Sequence, residues 1–146
     1  MFFLLLLLLI TSLAVSLAVL SLTETTDLAS PGDWIKENQI QVYPSRVILN
    51  INNASWAKFT DTNSMDPFLD AESNALEIKP DSADQVRIGD IIAYRTAQGI
   101  IIHRVIEKGT DQYGPYFIAK GDNNQFNDLQ KIRLEEIQGV VIAIIY

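Results

Sequence analysis

The chain contains no cysteine and a single histidine, His103. The first absence excludes disulfides, thiol nucleophiles and thiolate metal sites together. One imidazole without thiolates makes no ordinary zinc site unless carboxylates fill the remaining positions. The acidic, Asn-rich loop 122–128 lacks the central glycine and terminal glutamate spacing of an EF-hand calcium loop. The residues therefore call for no metal and no other cofactor. Positive charge is also scarce. The 11 Lys and Arg face 18 Asp and Glu, and the first lysine is Lys36. A net charge of −7 opposes nucleic acid as a partner and opposes electrostatic attachment to anionic lipid.

One long apolar run is present, at residues 2–22, and it carries no charge. As a helix its 21 residues measure about 31 Å, enough to cross the hydrocarbon core. The run is longer than the core of a signal peptide, and no basic residue precedes it. It reads as a retained single-pass anchor over 1–23, with a polar linker over 24–38 and a β-rich domain over 39–146. The terminal amine before the run and Glu24 and Asp27 after it lean toward a domain on the extracytoplasmic side of the cell membrane. Trp34 suits either an interfacial position or a core.

Beyond the linker the periodicity is that of strands. Short β-branched or aromatic runs occupy 40–43, 47–51, 54–60, 75–78, 90–95, 100–106, 116–119 and 139–146, and Thr96-Ala97-Gln98-Gly99 reads as a hairpin turn. After the anchor no window sustains helical periodicity. Residues 129–137 come nearest, with one short helical turn expected. There are no internal repeats. Asn53-Ala54-Ser55 fits the N-glycosylation pattern. The fold class is mostly β.

A hydroxyl, one imidazole and a late carboxylate are the parts of an acyl-transfer site. Ser64 stands in Asn63-Ser64-Met65-Asp66-Pro67, where Pro67 stiffens the chain just after the hydroxyl. Thr62, two residues earlier, points to the same side in an extended approach. With the Ser64 N–H it could form an oxyanion hole. His103 alternates with its neighbours so as to share a face with Ile101 and Val105, the face expected to be buried. A neutral imidazole there suits a general base. For the carboxylate there are two candidates, Asp122 in Lys120-Gly121-Asp122-Asn123-Asn124 and Asp128 beyond it. Spacing alone does not choose between them.

Four segments in this order resemble type I signal peptidases of the archaeal and endoplasmic-reticulum branch. They are the apolar N-terminal run, Ser64-Met65-Asp66-Pro67, Gly89-Asp90-Ile91-Ile92 leading to His103-Arg104-Val105-Ile106, and Lys120-Gly121-Asp122-Asn123-Asn124 with Asp128. The likeness covers about residues 58–142. It implies the signal-peptidase/LexA-like β fold, shared with self-cleaving repressors, behind one transmembrane helix. It implies a serine endopeptidase that removes signal peptides from secreted and membrane precursors. Ser64 becomes the nucleophile and His103 the base, where the bacterial branch has lysine. Asp128 matches the aspartate supporting the histidine, and Asp122 the aspartate of the turn. The sequence departs from the pattern at Asn63, where a small residue is common, and over 69–87, which lacks an early Gly-Asp.

The expected partners are precursor proteins carrying signal peptides, the lipid bilayer and any accessory membrane subunits. A substrate strand would lie beside the 59–63 stretch, touching Phe59, Asp61, Asn63 and Met65. A non-catalytic membrane-anchored domain binding extended peptides is the alternative. A self-cleaving repressor is opposed by the lack of a base lysine and of an Ala-Gly scissile pair.

Overall fold

The computed structural model describes residues 28–146. The anchor expected over 1–23 lies outside the described residues, and none of their helices is long and apolar enough to cross a membrane. The described chain is mostly β, as its alternating apolar residues demand. It has eight strands: β1 Ile40–Tyr43, β2 Arg46–Leu49, β3 Ser55–Lys58, β4 Asn74–Ile78, β5 Ile91–Thr96, β6 Gly99–Asp111, β7 Gly114–Lys120 and β8 Ile137–Ile145. β1 and β2 form a hairpin sheet of their own. The other six form one antiparallel sheet in the order β3-β4-β8-β5-β6-β7.

Both faces of the large sheet are covered, which is why β5 and β8 are so continuously apolar. Ile92, Tyr94, Val105, Phe117 and Val140 pack on one face with Val86, Ile132 and Ile137. Their chain neighbours Ile91 and Val141 pack on the other with Met65, Leu69 and Ala75. Each fully buried aliphatic or phenyl side chain contributes roughly 2 kcal/mol. The expected helical turn at 129–137 shrinks to a 3-10 turn at Leu134–Glu136. Ile132 instead bridges Phe117 in extended conformation and is fully buried, so tertiary pairing takes the segment.

The two-residue turn at Ala97 and Gln98 pairs Thr96 with Gly99 and so fixes the register of β5 and β6. That register sets Ile92 opposite His103 and Tyr94 opposite Ile101. β6 joins β7 only from Arg104 onward, where Arg104 pairs with Lys120. Its first stretch, 99–103, is therefore paired on one side only among the described residues.

The described part of the 24–38 linker, residues 28–38, is tied to the body at Gly32. The Gly32 N–H donates to Asp90 Oδ1 at 2.6 Å, and the Arg87 N–H donates to Asp90 Oδ2 at 2.8 Å. A Cβ at Gly89 (φ +100°) would collide with the Ser30 carbonyl, so only glycine lets the strap lie this close. Trp34 is half-buried and packs against the first core cluster. Removing the fully buried Asp90 carboxylate strands two amide donors. Asp90→Ala should lower unfolding free energy by about 3 kcal/mol and speed hydrogen exchange at the Gly32 amide. An unchanged urea midpoint would contradict this anchoring role.

Candidate active site

Ser64 lies in the loop after β3, and the side chains beside it hold it in place. Met65 and Leu69 are buried in the second core cluster, and the Leu69 N–H bonds to the Met65 carbonyl at 3.1 Å. Asn63 takes a left-handed conformation (φ 55°), which asparagine tolerates better than most residues. The turn after β7 clasps this loop. The Asn123 N–H donates to the Ser64 carbonyl, and Asn123 Nδ2 donates to the Asn63 carbonyl, both at 3.0 Å. The Asp122 N–H points at Met65 Sδ, 3.5 Å away. A Cβ on Gly121 would lie 2.5 Å from the Ser64 carbonyl oxygen, so the clasp requires glycine.

His103 is only 6% exposed and sits on the core-facing side of β6 with Val105 and Ile101, the face that alternation indicates. Its Nδ1 lies 2.7 Å from Asp128 Oδ2. A carboxylate accepts, so Nδ1 carries the proton and Nε2 is left with a lone pair. Tyr94 OH donates to the same oxygen at 2.6 Å. Burial, and then the bond to Asp128 and its negative charge, push the Tyr94 hydroxyl above the usual tyrosine range. It therefore stays a proton donor to Asp128 throughout the physiological range.

The geometry separates the two aspartates. Asp122 takes Arg104 in a two-pronged pair, Nε to Oδ1 at 2.8 Å and Nη2 to Oδ2 at 2.7 Å, with both side chains nearly inaccessible. Arg104 Nη1 also donates to the Gly89 carbonyl at 2.8 Å. Asp122, expected among the catalytic residues, is therefore the partner of Arg104. Asp128 alone bonds the imidazole.

Ser64 and His103 line one cavity of about 500 Å³, within the size range of ligand sites. Ala57, Lys58 and Phe59 line it from the β3 side, and Ile100, Ile101 and Ile102 from the singly paired stretch of β6. Glu77, Gln138 and Ala93 come from the strands between. Thr62 lines the cavity too, and its hydroxyl shares a 3.1 Å hydrogen bond with Ser64 Oγ, confirming the same-side placement. The Ser64 N–H makes no hydrogen bond among the described residues.

The substrate-contact expectations divide. Phe59 and Met65 line the cavity, whereas Asp61 and Asn63 do not. Residues 59–63 are not a strand, because β3 ends at Lys58. Two strand edges border the site: β3, outermost in the sheet, through Ala57 and Lys58, and the singly paired stretch 99–103 of β6. Tyr94, Glu77 and Arg104 were not foreseen. The β5–β6 register carries the signal for Tyr94, since Ile92 opposes His103 and Tyr94 stands two residues along on the same face.

No protein-family model matches the chain, and no curated protein matches it either.

The two carboxylates should behave differently when neutralised. Asp122→Ala leaves a buried guanidinium unpaired and should cost about 3–5 kcal/mol of stability. Asp128→Asn, in a partly open site, should cost no more than about 1–2 kcal/mol. Equal losses in urea unfolding would overturn this division of roles.

Proposed function

We propose that the protein is a membrane-anchored serine endopeptidase of the signal-peptidase type, with Ser64 as nucleophile and His103 as general base. One observation carries the reading: Ser64 and the only imidazole line a single cavity, and that imidazole is hydrogen-bonded at Nδ1 to Asp128. The four-segment resemblance and the uncharged run at 2–22 support the family and the membrane setting.

The chemistry follows from the atoms present. Ser64 Oγ attacks the scissile carbonyl as His103 Nε2 takes its proton. Asp128 holds the tautomer and stabilises the imidazolium. The Ser64 N–H, with the Thr62 hydroxyl once it turns from Ser64, faces the developing oxyanion. The imidazolium then protonates the leaving amine, and water releases the acyl group by the same route. An extended substrate adds beside the unpaired edge of β6 at 99–103, with its side chains in the apolar cavity. Anchoring places enzyme and precursor on the same bilayer, which raises their effective concentration.

The Thr62–Ser64 hydrogen bond favours a second reading, a domain that binds extended peptides without cleaving them, because the Ser64 hydroxyl is bonded to Thr62 and no hydrogen bond joins it to His103 among the described residues.

Ser64→Ala and His103→Ala, each folded like the parent, should reduce precursor cleavage by about a thousandfold or more. Retained cleavage in either refutes the assignment.

A further inference from the structure

The cavity holds one group that the proposed chemistry does not use. Glu77 projects from β4 among Ala75, Leu76 and Ile78, and is only 7% exposed. It lines the same cavity as Ser64 and His103, and its Oε1 is buried without a hydrogen-bond partner. Burial raises the carboxyl above the usual glutamate range, favouring its neutral form.

The fold makes room for this group. A Cβ at Gly139 on β8 would lie 2.8 Å from both Glu77 Cβ and Oε2. A glycine within a central strand weakens that strand, and a buried carboxyl without a partner weakens the fold again. The two unfavourable features are coupled, since the glycine vacates the volume that the carboxyl fills. An aliphatic residue at 77 would remove the unpaired oxygen. Glu77 lines the cavity, and a ligand there that hydrogen-bonds the carboxyl explains why the acid stands here.

We propose that Glu77 is a specificity-determining residue of this cavity, receiving a small hydroxyl side chain, serine or threonine, from the bound peptide. A hydroxyl donates to a carboxylate and also accepts from a protonated carboxyl, so it serves either state. An aliphatic guest leaves the carboxyl without a partner, and an acidic guest adds a second group of the same kind. Phe59, Leu69 and Ala93 line the same cavity as apolar neighbours, and among its polar lining residues Glu77 is the one with a buried side-chain oxygen that lacks a partner. A site built to hydrogen-bond a hydroxyl rejects analogues that lack one more strongly than an apolar slot rejects a missing methylene. The inference rests on the peptidase reading for its cleavage arm, but its binding arm stands without catalysis.

The test uses the full chain in detergent and peptide pairs carrying serine or alanine at each of the three positions before the scissile bond. At one position the parent should cleave the serine peptide at least about tenfold better in kcat/KM. Ser64→Ala should bind the same peptide about tenfold more tightly than its alanine partner. Glu77→Met should bring both ratios close to one, and Glu77→Gln, which keeps a donor and an acceptor, should retain most of the preference. Cleavage without any serine preference overturns the inference and leaves the peptidase reading intact. No cleavage, with the binding preference present in Ser64→Ala and lost on adding Glu77→Met, overturns the peptidase reading and supports the inference. No binding preference in Ser64→Ala, or one that survives Glu77→Met, overturns the inference.

Discussion

A buried ion pair holds the two halves of the site together. Arg104 follows His103 on β6, and Asp122 sits in the turn whose next residue, Asn123, bonds the Ser64 carbonyl. The guanidinium also grips the Gly89 carbonyl, next to the Asp90 that binds the N-terminal strap. One side chain thus joins the histidine strand, the serine loop and the strap. Such a pair contributes little net stability against an apolar replacement, because desolvation offsets the Coulomb attraction. Its two-pronged geometry fixes position, and position is what a site assembled from three distant segments needs.

Around that joint the sheet supplies a cavity rather than a flat face. β6 runs past the end of β7, leaving a singly paired stretch beside the imidazole, and Ser64 and Thr62 share the same cavity. The imidazole is buried against the core and oriented by Asp128, which Tyr94 holds in turn. The serine rides on a loop pinned by Met65 and Leu69. Burial of the imidazole and the placement of the Ser64 hydroxyl at the cavity follow from these different supports. The Ser64 hydroxyl is itself hydrogen-bonded to Thr62.

Much of this was legible in the sequence, for physical reasons. Strand-forming runs are local, so all eight strands are read from short β-branched or aromatic runs, with small shifts at most ends and β6 continuing to Asp111 beyond the expected 106, and alternation gives the face of His103. What escaped was non-local. Spacing gave no choice between Asp122 and Asp128, because the choice depends on which carboxylate Arg104 claims. Residues 28–38 look like a linker because Ser30-Pro31-Gly32-Asp33 is a turn pattern. The contact that holds them, Gly32 to Asp90, spans 58 positions. The 129–137 stretch carries an apolar spacing near that of a helix, yet Ile132 is spent on Phe117. Glu77 was visible as an acid in an apolar strand, but its setting in the cavity needed the sheet order.

The most direct test of the central claim, that Ser64 is activated by His103, is covalent capture. The full chain is treated with a serine-directed acylating or phosphonylating reagent, and the modified residue is located by peptide mass spectrometry. The account predicts a single modification at Ser64, absent or at least a hundredfold slower in His103→Asn. A parent protein that stays unmodified, or a Ser64 that reacts equally fast without the imidazole, would contradict it.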